Sequence, residues 1–123
     1  MLKTAGIPMW VTIFAIIVFL LGCGLGLMAL FGQAMDPTMS ASWGGRHLGL
    51  GLAAGAAVIL RSPSAYLAAF SGGVGRDVGD LIAHLGKSDA SRGVLVGIVV
   101  FLIAGVLGIL AANKARRSQT SAA

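Results

Sequence analysis

Six ionisable side chains lie within apolar stretches of this chain, where a membrane-spanning helix normally carries none. They are Arg46, His47, Arg76, Asp77, Asp80 and His84. Three of them form one cluster, Arg76-Asp77-Val78-Gly79-Asp80, inside the apolar stretch 65–85. An ionisable group in the bilayer core costs several kcal/mol unless it is paired or hydrated. We therefore expect these residues either to hold helices together or to form a functional site.

The spacing of the cluster predicts one polar helix face. Asp77, Asp80 and His84 are spaced i, i+3, i+7, which places them on the same side of a helix. Arg76 lies four residues before Asp80, so these two side chains can pair within the helix.

A second pair is predicted between neighbouring helices. If the two apolar segments around Ser62 form a hairpin, equal counting from the turn places Arg46 opposite Gly79 and His47 opposite Val78. We therefore predict that Arg46 contacts Asp80 or shares a polar neighbour with it.

Such a polar layer has two interpretations. It can fix the register of the helices, because polar groups pair membrane helices. It can instead form a site in which Asp77, Asp80 and His84 are catalytic and Arg46, Arg76 and His47 bind the ligand. Two carboxyls facing one cavity can act as an acid and a base, since their charges repel each other.

Metal chemistry has little support in the sequence. Two histidines, His47 and His84, lack the spacing of metal ligands, although they have the chemistry of bases or haem ligands. Cys23 is the only cysteine, so it forms no intrachain disulfide and no thiolate cluster. We predict no metal site, and the sequence identifies no cofactor.

Composition places the chain among integral membrane proteins. Of 123 residues, 57% are hydrophobic and 11% are charged, whereas soluble domains carry roughly 25% charged residues. The lipid bilayer is the expected partner. Nucleic-acid binding is not expected: the net charge of +5 comes largely from Lys114, Arg116 and Arg117, which follow an apolar segment.

Apolar runs and turn signals predict an all-α, four-helix transmembrane bundle in one domain, with up-down-up-down topology. The predicted helices cover 7–31, 37–60, 64–85 and 93–112, and a basic tail covers 114–123, with residues 118–123 expected to be disordered. The second helix starts either at Asp36-Pro37, which places Arg46 within the membrane, or nearer Trp43, which places it at the interface.

Charge asymmetry orients the predicted bundle. The positive-inside rule favours both termini in the cytoplasm and a multi-pass protein of the inner (plasma) membrane. The aromatic residues Trp10, Trp43 and Tyr66 lie near the ends of the predicted spans and fit an aromatic belt. Nineteen glycines, several at i, i+4 spacing, predict close helix packing and a possible homo-oligomer.

The middle of the chain, residues 43–86, resembles the small four-helix membrane families grouped as DoxX-like. The resemblance lies in Gly45-Arg46-His47-Leu48-Gly49-Leu50-Gly51-Leu52 and in Gly75-Arg76-Asp77-Val78-Gly79-Asp80. It implies a compact four-helix bundle with Arg46 and Asp80 as the family-like polar pair. Some of these families are linked to thiosulfate and quinone oxidation or to redox complexes, but no redox motif occurs in this chain.

Three functions compete on the sequence alone. The first is a membrane protein that binds a lipophilic or quinone-like small molecule at the Arg/Asp layer. The second is a membrane-embedded isomerase or epoxide hydrolase that uses Asp77 or Asp80 as acid or base. The third is a small proton-coupled transporter, against which the absence of an acidic residue in the first helix counts.

Overall fold

The computed structural model contains four α-helices: α1 Met9–Leu30, α2 Ala41–Leu60, α3 Pro63–Leu85 and α4 Arg92–Ala122. It describes residues 6–33, 40–87 and 91–123, and these contain no β-strand. The prediction of an all-α, four-helix fold is therefore confirmed.

The hairpin between α2 and α3 turns where the sequence predicts. Arg61 ends α2 in the left-handed conformation, with φ of 51°, and Pro63 occupies the first turn of α3. Proline is suited to this position because the first helical N–H groups have no partner within the helix.

The start of α2 favours one of the two alternatives. Ser40 caps this helix, since its Oγ accepts a hydrogen bond from the Trp43 N–H over 3.3 Å. Arg46 is thus only the sixth residue of α2. Asp36-Pro37, the alternative start, lies outside the described residues.

The fourth helix is longer than predicted. It continues through the basic tail to Ala122, so the expected disorder of residues 118–123 is wrong. The segment after the apolar run contains no Gly or Pro and is rich in Ala, Lys and Arg, which favour helix. The apolar run ends near Ala112, but the helix continues beyond it.

Consecutive helices are antiparallel, as their contacts show. In α1, Gly22 lies against Gly51 of α2, whereas Gly26, one turn later, lies against Gly44. A Cβ at Gly22 would stand 2.8 Å from the carbonyl oxygen of His47, so only glycine allows this approach. The same reversed order joins α3 to α4, where the Phe70 ring lies against Gly108 and Val74, one turn later, lies against Gly105.

A closely packed core occupies the end of the bundle where α1 begins and α4 ends. Its buried members are Ile7, Val11, Ala15, Ala57, Tyr66, Ala69, Phe70, Ala112 and Ala115. Tyr66 is fully buried, and its hydroxyl lies 3.2 Å from Thr12 Oγ1. The assignment of Tyr66 to an aromatic belt is therefore wrong, because its side chain is buried in the core. Thr12 supplies the hydrogen-bond partner that a buried hydroxyl needs.

The outer surface of α1 and α4 is apolar. Large side chains such as Ile13, Leu20, Ile103 and Leu110 are more than half exposed. Two helices, Met9–Leu30 and the segment Arg92–Ser121 of α4, are long and apolar enough to cross a membrane.

Candidate functional site

A cavity of about 380 Å³ lies at the opposite end of the bundle from the core. The four helices line it with the second half of α1, the start of α2, the second half of α3 and the start of α4. All six ionisable residues singled out in the sequence line it, namely Arg46, His47, Arg76, Asp77, Asp80 and His84. The fold therefore brings these side chains together around one space.

Arg46 and Asp80 form an ion pair between α2 and α3. Arg46 Nη2 donates a hydrogen bond to Asp80 Oδ1 over 3.1 Å. The predicted contact is confirmed. The Arg46 side chain is 48% exposed and that of Asp80 16%, so this pair stands at the opening of the cavity.

Arg76 and Asp77 form a second, deeper ion pair. Arg76 Nε donates to Asp77 Oδ1 over 2.8 Å, and Arg76 Nη2 donates to the same oxygen. The two side chains are only 10% and 7% exposed. The expected pairing of Arg76 with Asp80 is wrong, because Arg46 pairs with Asp80 instead.

Each histidine of the cavity is held by a carbonyl one helical turn earlier. His47 Nδ1 donates to the Trp43 carbonyl over 2.9 Å, and His84 Nδ1 donates to the Asp80 carbonyl over 2.7 Å. With the proton on Nδ1, the Nε2 of a neutral histidine is an acceptor. Both histidines can therefore accept a hydrogen bond from a ligand or act as bases.

The remaining walls of the cavity were not predicted from the sequence. Its apolar side consists of residues from α1 and α4: Val18, Leu21, Leu25, Val94, Ile98 and Phe101. The periodicity of these nearly all-apolar helices does not distinguish cavity-facing from outward positions, so no sequence signal marked them.

Trp43 also lines the cavity. Its ring stacks on His47, with ring centroids 3.7 Å apart and an angle of 27° between the planes. The i, i+4 spacing of Trp43 and His47 is the signal that could have predicted this contact.

Metal ligation has no basis in the described part of the chain. No group of three or more His, Cys, Asp or Glu residues there is placed to hold a metal ion. Within residues 6–33, 40–87 and 91–123, no buried side-chain nitrogen or oxygen lacks a hydrogen-bond partner.

No protein-family model matches this chain, and neither a curated protein nor a solved structure matches it. The DoxX-like resemblance therefore stays a hypothesis that rests on the two motifs in α2 and α3.

The geometry combines a charged wall with an apolar wall. The charged wall on α2 and α3 offers arginine donors, carboxylate acceptors and histidine Nε2 atoms. The apolar wall on α1 and α4 offers aliphatic contacts and the Phe101 ring. A cavity of this size and mixed lining has the character of a small-molecule site, for which volumes of about 300–1,000 Å³ are typical.

Proposed function

We propose that this chain is a multi-pass membrane protein that binds a lipophilic small molecule, such as a quinone, in the cavity. One observation carries the proposal: the charged wall and the apolar wall enclose the same space. A molecule with a polar head and an apolar body satisfies both walls together.

The distribution of charge supports the membrane assignment. Helices α2 and α3, with 20 and 23 residues, reach across ~30 Å of hydrocarbon core at 1.5 Å per residue. Their ionisable residues line the cavity and pair there, which is how charged residues are accommodated within a membrane.

The same charges orient the bundle. The end with the core carries Arg61, Lys114, Arg116 and Arg117, whereas the end with the cavity carries Arg46, Lys87 and Arg92. By the positive-inside rule both termini lie in the cytoplasm, and the cavity lies in the non-cytoplasmic half of the inner (plasma) membrane.

Trp43 supplies a direct test of binding. The chain has two tryptophans, and Trp10 lies outside the cavity lining. In a Trp10→Phe background, Trp43 is the only tryptophan reporter. We expect decylubiquinone, added to the protein in phosphatidylcholine nanodiscs, to quench Trp43 fluorescence in a saturable manner.

A glycine in the cavity supplies a matched pair of variants. Gly97 lines the cavity, and a Cβ added to it meets nothing within 4 Å. Gly97→Leu should therefore place its side chain in the cavity and weaken saturable quenching. Gly24→Leu, at an exposed position with equally open space outside the cavity lining, should leave it unchanged. Equal quenching in the two variants would show that the quinone acts from the lipid and that the proposal is wrong.

The second candidate is an acid-base enzyme, and the environment of Asp80 favours it. Asp77 is held by two donors of Arg76, whereas Asp80 accepts one hydrogen bond, from the half-exposed Arg46. Asp80 is thus the carboxylate better placed to activate a water molecule that opens an epoxide. Incubation with 1,2-epoxydodecane, followed by mass spectrometry of the lipid extract, should then reveal dodecane-1,2-diol, and Asp80→Asn should prevent its formation. No diol above a protein-free blank would reject this candidate.

A further inference from the structure

The cavity lining carries more positive than negative charge. Its described residues include three cationic side chains, Arg46, Arg76 and Lys87, and two anionic ones, Asp77 and Asp80. One positive charge is therefore in excess with both histidines neutral. An excess of positive charge in a cleft favours the binding of an anionic group.

Lys87 accounts for the excess. Within the described part of the chain, the ion pairs are Arg46–Asp80 and Arg76–Asp77, and Lys87 takes part in neither. This lysine is exposed and follows the C-terminus of α3, so it stands at the opening of the cavity with Arg46.

Arg46 can bind a further anion while it holds Asp80. A guanidinium has five N–H donors, and the hydrogen bond to Asp80 comes from Nη2. The arginine fork is suited to carboxylate and phosphate groups, which it binds through two donors at once. Arg46 therefore has donors left for a small anionic group at the opening, and Lys87 lines the same cavity.

The apolar part of the cavity lining is suited to an alkyl chain. Leu21 and Leu25 of α1 and Ile98 of α4 lie on the wall that faces the charged residues. An alkyl chain can pack against these aliphatic side chains.

We propose that the cavity selects amphiphiles with one alkyl chain and a small anionic head, a carboxylate or a phosphate, with the head at Arg46 and Lys87. The inference rests on the proposed function, because it assigns the ligand class of the same cavity. It assigns a role to Lys87, which the sequence analysis did not single out.

The test compares four twelve-carbon probes in the Trp10→Phe background in phosphatidylcholine nanodiscs. Laurate and dodecyl phosphate carry an anionic head, dodecanol a neutral one and dodecyltrimethylammonium a cationic one. Each probe competes with decylubiquinone for the quenching of Trp43. We expect the two anionic probes to compete at least about tenfold more strongly than dodecanol, since a charge-assisted hydrogen bond contributes about 1.5–3 kcal/mol.

Lys87→Gln removes the excess charge without leaving a described acidic residue unpaired. It should reduce the competition by laurate and by dodecyl phosphate to that of dodecanol. Lys114→Gln, which removes the same charge from the other end of the molecule and outside this cavity, should have no effect on either.

The outcomes separate this inference from the proposed function. If dodecanol or the ammonium probe competes as strongly as laurate while decylubiquinone still quenches Trp43, the anion preference is wrong and the binding function stands. If decylubiquinone itself does not quench in a manner that depends on Gly97, both fail.

Nanodiscs that contain phosphatidylglycerol identify the source of the anion. Loss of laurate competition in those nanodiscs would mean that a two-chain membrane phospholipid supplies the anionic head, and it would overturn the preference for one alkyl chain. Retained competition would mean that a free amphiphile does.

Discussion

Arg46 on α2 donates a hydrogen bond to Asp80 on α3 over 3.1 Å, although 34 residues separate the two in the chain. Helices α1 and α2 pack closely through glycines, and α3 and α4 pack closely through Phe70 and Val74. The Arg46–Asp80 pair therefore joins two closely packed hairpins, α1–α2 and α3–α4. At the other end, Thr12 and Tyr66 join the same two hairpins. Side-chain polar contacts thus connect the hairpins near both ends.

Removal of the Arg46–Asp80 pair should cost little stability. We expect Arg46→Gln and Asp80→Asn to show an interaction free energy of about 1 kcal/mol or less in a double-mutant cycle, because Arg46 is nearly half exposed. Equilibrium unfolding in mixed detergent micelles measures this value. An interaction free energy of several kcal/mol would instead mean that the pair is effectively buried in the folded protein.

The Arg76–Asp77 pair should behave differently, because both side chains are buried. Arg76→Met leaves the Asp77 carboxylate buried without its partner and should cost about 3–5 kcal/mol of unfolding free energy. The double variant Arg76→Met/Asp77→Asn removes the stranded charge and should recover a large part of that loss. The same unfolding experiment measures both, and a double variant less stable than Arg76→Met would contradict the expected recovery.

Close packing of α1 on α2 should make Gly22 intolerant of a methyl group. A Cβ there would lie 2.8 Å from the His47 carbonyl oxygen and 2.9 Å from Gly51 Cα, and both are backbone atoms that cannot rotate away. Gly22→Ala should therefore lower the unfolding free energy by about 1–3 kcal/mol.

Gly24 is the matched control for Gly22. It lies on the same helix, and a Cβ there meets nothing within 4 Å. Gly24→Ala should be neutral or stabilising, since alanine favours helix by about 1 kcal/mol over glycine. Equal losses at both positions would mean that packing against α2 does not explain the loss at Gly22.

Single-cysteine labelling tests the proposed orientation. Cys23 is the only cysteine, so a Cys23→Ala background is free of thiols. With an impermeant maleimide added to intact cells, Ser91→Cys, before α4, should be labelled, and Ser118→Cys, near its end, should be labelled only after lysis. The reverse pattern would place the termini outside and the cavity on the cytoplasmic side.

Much of the fold was predictable because the apolar runs are separated by strong turn signals. The segment Arg61-Ser62-Pro63 places the hairpin between α2 and α3, and equal counting from that turn leads to the contact between Arg46 and Asp80. The end of α4 was not predictable from apolarity, because the helix continues on the propensity of its Ala, Lys and Arg residues.

The site was predictable only on its charged wall. An ionisable residue in an apolar segment is conspicuous, and all six such residues line the cavity. Arg76 pairs with Asp77 while Arg46 of the neighbouring helix pairs with Asp80. Residue spacing within α3 alone does not predict this choice of partner. The catalytic and ligand-binding roles of these residues stay predictions, as does the homo-oligomer.

The unbroken course of α4 has a practical consequence for imaging. A bundle of 123 residues is too small to align by electron cryo-microscopy without a larger, rigidly attached marker. Because α4 stays helical to Ala122, a helical protein fused in register at that point would continue the same axis. The orientation of each particle could then be determined from the fused protein. The fusion point lies at the opposite end of the bundle from the cavity.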